Sequence, residues 1–206
     1  MFGQLIAKRI LRKIDSFRKI DGWLSDQEAL GLYLAARSLP RGATIAEIGS
    51  WQGKSTYCLA MGLRSGTLHA IDPFNADSGE DTDSEAAYKE KKGSRDLLAQ
   101  FKQNMQERNV LNKIVIKQGY SQQFHQAFNT IDLLFIDGDH SINGCSLDFE
   151  LYAPKVPAGG LIAFHDYYAD RPELGPTYVI KNNVLPSPHF RFYRQYDSLW
   201  IAQKTA

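Results

Sequence analysis

The 206-residue sequence has few cysteines, no long apolar run and almost no net charge. Cys58 and Cys145 each stand alone, outside any CxxC pattern, which favours a reducing compartment. No stretch approaches the roughly 18 apolar residues of a membrane span, and the N-terminus lacks the apolar core of a signal peptide. A net charge of +1 gives no reason to expect a nucleic-acid partner. We therefore expect a cytoplasmic protein that does not bind nucleic acid.

What the sequence does contain is an alternation of two patterns. Apolar residues make up 43% of the chain, which suffices for one globular domain with a complete core. Short runs rich in β-branched residues predict five strands, at 44–48, 67–71, 114–116, 131–136 and 161–164. Amphipathic helical patterns lie between them, at 54–64, 95–111 and 144–153. This alternation predicts an α/β fold with a Rossmann-like, doubly wound and mainly parallel sheet.

Both ends of the chain and one polar segment add to this core. Residues 190–196 and 199–203 predict a C-terminal antiparallel hairpin. A second helix is expected from an N-cap at Ser25, with a capping box completed by Glu28, to Ser38. The N-terminal helices, residues 1–40, should pack on or cover a cofactor-binding domain at 41–206. The acidic segment 75–94 is expected to be a lid or a mobile loop.

The first helix is predicted over residues 5–20, where apolar and basic side chains interleave at helical spacing. Such a helix is compatible with a lid over a substrate, with the interface of a homodimer, or with contact to an anionic membrane surface. It is equally compatible with a solvated helix that packs on the domain.

A loop with two glycines, residues 47–55, follows the first predicted strand, where doubly wound sheets bind their ligands. A P-loop requires four residues between its glycines, and Gly49 and Gly53 enclose only three. A dinucleotide loop requires glycines at positions one, three and six, where this chain has Gly49, Trp51 and Lys54. Neither phosphate-binding pattern matches. The Gly-Lys-Ser string at 53–55 still leaves one alternative function, that of a nucleotide-binding or NTP-hydrolysing protein.

Two carboxylates favour a different ligand. Glu47 precedes Gly49 by two residues and suits an ammonium group better than a pyrophosphate. Asp72 ends the second strand, where an acidic side chain accepts hydrogen bonds from ribose hydroxyls. A cation beside Glu47 and a ribose beside Asp72 together describe S-adenosylmethionine. The expected binding residues of this part of the chain are Glu47, Gly49, Ser50, Trp51, Gly53, Ser55 and Asp72.

Together with this loop, the strings IDLLFIDGDH at 131–140 and GLIAFHDY at 160–167 resemble class I S-adenosylmethionine-dependent methyltransferases. The resemblance is to the small O-methyltransferase branch, which includes catechol-type and antibiotic-sugar enzymes. Catechol-type enzymes are similar to this chain in carrying an aromatic residue at the position of Trp51. The resemblance implies O-methylation of a small hydroxylated acceptor, such as a sugar. It also implies that Gly119, Ser121 and Asp137 contact the cofactor.

Acidic and imidazole side chains follow the fourth and fifth strands, whose carboxyl ends should be neighbours. Asp137, Asp139, His140, His165 and Asp166 could together bind Mg²⁺ or another divalent cation, or could bond to one another without a metal. The resemblance places the metal ligands at Asp137, His165 and Asp166. His165 stands where the similar enzymes have an oxygen ligand, and this favours a softer ion.

An alcohol acceptor needs a group that removes its proton. His140 lies three residues after Asp137, a spacing that resembles the catechol-type enzymes. An imidazole with an ordinary pKa near ~6.5 is largely neutral at pH 7 and accepts a proton. Asp139 is the alternative, since related sugar-modifying enzymes resemble this chain in having an aspartate there. We expect His140 to be the base and Asp139 to orient it or to hold the acceptor.

Overall fold

The computed structural model describes residues 2–77 and 79–205 of the chain. Met1, Ser78 and Ala206, which fall within the predicted segments, lie outside the described residues. Seven strands are found in the described part. They are β1 (Ala43–Ile48), β2 (Gly66–Asp72), β3 (Ile114–Gln118), β4 (Leu133–Ile136), β5 (Leu161–Phe164), β6 (Phe190–Tyr196) and β7 (Leu199–Lys204).

The strands form one sheet in the order β3-β2-β1-β4-β5-β7-β6. The first five strands run parallel, and β7 pairs antiparallel with both β5 and β6. The strand order reverses beside β1, between its neighbours β2 and β4, so the crevice at the carboxyl end of β1 is the expected ligand site. The predicted α/β class, with its mainly parallel sheet and C-terminal hairpin, is confirmed.

Helices cover both faces of this sheet. They are α1 (Phe2–Lys13), α2 (Asp26–Ser38), α3 (Lys54–Gly62), α4 (Thr82–Lys92), α5 (Leu97–Glu107), α6 (Ile142–Tyr152) and α7 (Gly175–Val179). Alternate strand residues feed two cores: Ile45 packs with α2, α3 and α5, and Ala46 packs with α6 and α7. None of the helices in the described part of the chain is long and apolar enough to span a membrane.

The N-terminal region differs from the single helix predicted over 5–20. Helix α1 ends at Lys13 and a 3₁₀ turn, Asp15–Lys19, follows. The tighter turn directs Phe17 into the core that also contains Leu59 of α3, and both side chains are almost fully buried. Leu5, by contrast, is 68% exposed on α1. Contact of this helix with a lipid surface or with a second copy of the chain stays a prediction.

The segment predicted as a lid or mobile loop, 75–94, contains helix α4 instead. Asp81 caps this helix by accepting a hydrogen bond from the backbone N–H of Ser84, and Glu85 pairs with Lys89 one turn later. Tyr88 anchors the helix on the aromatic side chains of other elements. The prediction of a loop was wrong for residues 82–92, because Tyr88, the ring that anchors the helix, stands among polar and acidic residues. The role of this segment as a lid stays a prediction.

Candidate active site

One cavity of about 680 Å³ lies at the carboxyl ends of β1, β2, β4 and β5. Small-molecule sites have volumes of about 300–1,000 Å³. All but two of the predicted site residues line this cavity. The predicted residues that line it are Gly49, Ser50, Trp51, Ser55, Asp72, Gly119, Ser121, Asp137, Asp139, His140, His165 and Asp166. The exceptions are Glu47 and Gly53, which lie behind the cavity wall.

Asp72 holds the glycine loop against the end of β2. Its carboxylate accepts hydrogen bonds from the backbone N–H groups of Ser50 and Trp51, both at 2.8 Å, and from that of Phe74. Burial raises the pKa of Asp72, although these donors oppose the rise. At Gly49, φ is +85° and a Cβ atom would lie 2.0 Å from the carbonyl oxygen of Asp137, so glycine is required there. The Asp72 carboxylate and the close approach of Gly49 to Asp137 therefore fix the loop at the edge of the cavity.

Glu47 lies behind this loop rather than beside the cavity. Its side chain is 0% exposed and accepts hydrogen bonds from the hydroxyls of Ser50 (3.1 Å), Ser55 (2.6 Å) and Thr56. Burial raises the pKa of Glu47 to about 7 against the effect of these donors. Glu47 thus does not line the cavity and supports the loop from the inside, while its predicted contact with an ammonium group stays a prediction.

The Gly-Lys-Ser string has structural partners. At Gly53, the N-cap of α3, a Cβ atom would approach Met105 Cε to 2.5 Å, so this glycine allows α3 to pack on α5. Lys54 Nζ donates a 2.8 Å hydrogen bond to the carbonyl oxygen of Gly22, and Ser55 donates to Glu47. These contacts give no support to the alternative function of a nucleotide-binding loop.

Two carboxylates and two imidazoles meet where β4 and β5 end. Nδ1 of His165 lies 3.1 Å from Asp137 Oδ1 and 3.2 Å from Asp166 Oδ2. Nε2 of His140 lies 3.5 Å and 3.6 Å from the same two carboxylates and has no hydrogen-bond partner among the described residues. Both imidazoles are therefore aimed at one carboxylate pair.

A further carboxylate stands behind each imidazole. Asp81, at the start of α4, lies 3.4 Å from His140 Nδ1, and Glu28, in the first turn of α2, lies 3.4 Å from His165 Nε2. His140 lowers the pKa of Asp81 to about 2. Burial alone would raise the pKa of Glu28, but His165 and other donors lower it to about 2. An imidazole backed by a carboxylate is the arrangement of histidines that bind metals.

Ligand atoms of Asp137, His140 and Asp166 all lie within 4.8 Å of one another, which fits a divalent cation. A cation there would also give the buried Nε2 of His140 a partner. The predicted ligand His165 contacts the same two carboxylates, but the group of possible metal ligands contains His140 in its place.

The surroundings of His140 do not favour the neutral imidazole expected from the sequence. Burial alone would lower its pKa, but Asp137, Asp81 and Asp166 raise it to about 10. Asp139, the alternative base, accepts backbone hydrogen bonds from Ser141 (2.8 Å) and Glu80 (3.0 Å), so it organises the cavity wall. Four carboxylates surround the two imidazoles, and this local excess of negative charge is what the sequence spacing did not reveal.

An aromatic wall, formed by Trp23, Trp51 and Tyr88, closes one side of the cavity. The three ring centroids lie 5.2–5.9 Å apart in tilted and edge-on arrangements. Trp51 reaches this position with a φ of +48°, which is unusual for a bulky residue. Trp23, Tyr88, Glu28 and Asp81 were not predicted as site residues, because each comes from a segment without a local signal for binding.

Comparison with known proteins agrees with this geometry. A family model described as "Methyltransferase domain" matches residues 46–167. Among solved structures, the O-methyltransferase TomG of Streptomyces achromogenes, involved in tomaymycin synthesis and solved with SAM, superposes with a TM-score of 0.66. It is 17% identical, and the match covers 96% of this chain and 90% of that one. An O-methyltransferase of Bacillus cereus in complex with SAH gives a TM-score of 0.62 at 18% identity, covering 97% and 90%.

Among the curated relatives that match by sequence, two do so over about two thirds of this chain. An uncharacterized protein of Acanthamoeba polyphaga mimivirus is 30% identical over 140 residues, which are 65% of this chain and 57% of that protein. An uncharacterized protein of Sinorhizobium fredii is 27% identical over 141 residues, 66% of this chain but only 14% of the relative. Because the family model covers more than half of the sequence, the chain belongs to the methyltransferase domain family, and the predicted methyltransferase family is confirmed.

Proposed function

We propose that this protein transfers the methyl group of S-adenosylmethionine to a hydroxyl of a small polyhydroxylated acceptor, such as a sugar. The observation that carries the proposal is the shared cavity: the glycine loop and Asp72 line it together with the cluster Asp137–His140–Asp166. One side of this cavity suits the donor and the other suits the activation of an alcohol.

The donor side is built by the glycine loop and β2. Gly49 and Ser50 present backbone to the cavity, and Asp72 has the position at which a carboxylate accepts ribose hydroxyls. S-adenosylmethionine supplies a methyl group that is already activated by its sulfonium. The protein therefore has to align an acceptor oxygen with the bond that breaks, and has to exclude water while the methyl group moves.

The acceptor side is formed by the cluster and the aromatic wall. We propose that Asp137, His140 and Asp166 hold a divalent cation, which would displace the proton of His140 Nε2, so that His140 acts as a ligand rather than as the base. A bound cation lowers the pKa of an acceptor hydroxyl. Asp81 and Glu28 would fix the orientation of the two imidazoles. Trp23, Trp51 and Tyr88 line the cavity, and an acceptor ring would pack against them.

Isothermal titration calorimetry tests the donor side. Adenosylhomocysteine should bind, ATP should not, and Asp72→Ala should weaken adenosylhomocysteine by about tenfold or more, the loss expected for a hydrogen bond to a charged group. Glu107→Ala, on the exposed end of α5, is the matched control. Binding of ATP without adenosylhomocysteine would overturn the proposal. A panel of catechols and free sugars, scored by adenosylhomocysteine release, then tests the acceptor class.

A further inference from the structure

A buried carboxylate lies in the cavity at a distance from the glycine loop. Asp148, on α6, is 4% exposed and lines the cavity together with Ser121 and Gly138. Its Oδ1 atom accepts a hydrogen bond from the hydroxyl of Ser121. The proposed chemistry of methyl transfer does not use this group, so its burial in the wall of a ligand site needs another explanation.

Helix α6 presents two side chains to the same short segment. Asp148 and Tyr152 are four residues apart and therefore lie on one face of the helix. Tyr152 donates a 2.7 Å hydrogen bond to the carbonyl oxygen of Ser121, while Asp148 holds the hydroxyl of the same residue. The segment that follows β3 is thus fixed against α6, and the position of the Asp148 carboxylate is defined from two sides.

The second oxygen of Asp148 lies beside Gly138. A Cβ atom at position 138 would lie 3.4 Å from Asp148 Oδ2. Gly138 and Asp148 both line the cavity, so Oδ2 lies in the cavity wall beside a residue without a side chain. Burial raises the pKa of Asp148 to about 7, although the Ser121 hydroxyl lowers it. A ligand that donates a hydrogen bond to Oδ2 would offset part of this desolvation.

The arrangement of the cavity indicates which part of S-adenosylmethionine reaches Asp148. Asp72, the ribose position, pairs in register with Gln118 at the end of β3, and the N–H of Gly119 donates to the Asp72 carbonyl oxygen. The next residues of the chain lead to Ser121 and Asp148. The methyl group has to lie on the other side, near Asp137 and Asp166. With the ribose between them, the Ser121–Asp148 end is the place left for the purine base.

We infer that Asp148 accepts a hydrogen bond from the exocyclic amino group of the adenine and so selects adenosyl compounds. This inference rests on the proposed cofactor. An ionised carboxylate accepts hydrogen bonds and donates none, and the 6-amino group is the donor on the adenine ring. The pair would also be shielded from water, which strengthens it.

A double-mutant cycle between the protein and the ligand tests this pair. The two ligands are adenosylhomocysteine and its purine analogue, which lacks only the 6-amino group, and the readout is the dissociation constant by calorimetry. For the unmodified protein, loss of the amino group should weaken binding by about 10- to 100-fold. For Asp148→Ala, the two ligands should bind within about threefold of each other. Glu150→Ala, an exposed carboxylate on the same helix, should keep the full preference.

The outcomes separate the inference from the proposed function. A purely structural role of Asp148 would weaken both ligands equally and leave their ratio unchanged, and that result overturns the inference. So does a ratio near one in the unmodified protein. If the alanine variant does not fold, Asp148→Asn replaces it in the test, because asparagine keeps the size of the side chain. The ratio of its two dissociation constants should fall between the ratio of the unmodified protein and the ratio expected for Asp148→Ala. Failure of the unmodified protein to bind adenosylhomocysteine at all would instead refute the proposed function.

Discussion

Replacing Glu47 by glutamine tests whether this buried carboxylate supports the loop or binds the cofactor. Burial raises the pKa of Glu47 from 4.5 to about 7. A shift of one pKa unit corresponds to about 1.4 kcal/mol, so ionisation of Glu47 in the folded protein should lower the free energy of unfolding by about 3 kcal/mol. Glutamine has nearly the same shape and does not ionise. Its amide can still bond to the hydroxyls of Ser50, Ser55 and Thr56, because hydroxyls both donate and accept.

The direction of the pH effect follows from the raised pKa. Between about pH 4.5 and pH 7 the unfolded chain loses the Glu47 proton while the folded protein keeps it, so the free energy of unfolding falls as the pH rises. Glu47→Gln lacks this loss. Its stability relative to the unmodified protein should therefore increase across this range, by up to about 3 kcal/mol at pH 8.

Urea denaturation at pH 5.0, 6.0, 7.0 and 8.0 measures this difference, and calorimetry with adenosylhomocysteine measures binding at pH 7. Glu150→Gln, with an exposed carboxylate, is the control and should show a constant difference from the unmodified protein. Affinity for adenosylhomocysteine should change by less than about threefold in Glu47→Gln. A constant stability difference combined with a tenfold or larger loss of affinity would refute the reasoning and restore the ammonium contact predicted from the sequence.

Three further results are expected. Mn²⁺ should bind the protein, detected by electron paramagnetic resonance, and Asp137→Ala should abolish binding; retained binding would place the cation elsewhere. Glu28→Gln should lower the affinity for Mn²⁺ by about tenfold, because Glu28 contacts His165, which in turn contacts the ligand Asp137, and such a loss is typical when an outer partner of a metal ligand is removed. An equal loss of affinity for adenosylhomocysteine would indicate general damage to the protein. Tyr88→Ala should lower the free energy of unfolding by about 1–3 kcal/mol in urea, whereas Tyr88→Phe should not, and equal effects would exclude ring packing on Trp51 as the cause.

Much of the fold could be predicted because its signals are local. Buried parallel strands are continuous apolar runs, and the predicted 161–164 strand coincides with β5. The Ser25 cap and its capping box were also predicted, and both reciprocal hydrogen bonds are present. Each of these features depends on residues within a few positions of one another, where spacing alone determines the contact.

The site was predicted only in part, because its remaining features depend on long-range packing. Asp81 and Glu28 reach the cluster from α4 and α2, and no local pattern links either carboxylate to His140 or His165. The orientation of Glu47 was nevertheless accessible from the sequence. Alternate residues of a strand face opposite sides, so Glu47 shares the face of Ile45, which α3 covers. The prediction considered its distance from Gly49 and left out this alternation.

Glu28 has a consequence for how the chain can be divided. Its Oε1 atom accepts hydrogen bonds from the backbone N–H (3.1 Å) and the hydroxyl (2.6 Å) of Ser198, between β6 and β7. One carboxylate therefore joins the start of α2, the C-terminal hairpin and His165. The helices before β1 are therefore not an independent module that could be exchanged for those of another methyltransferase. A chimera joined at residue 40 would inherit a buried imidazole without its carboxylate, unless the donor supplied a glutamate at this place.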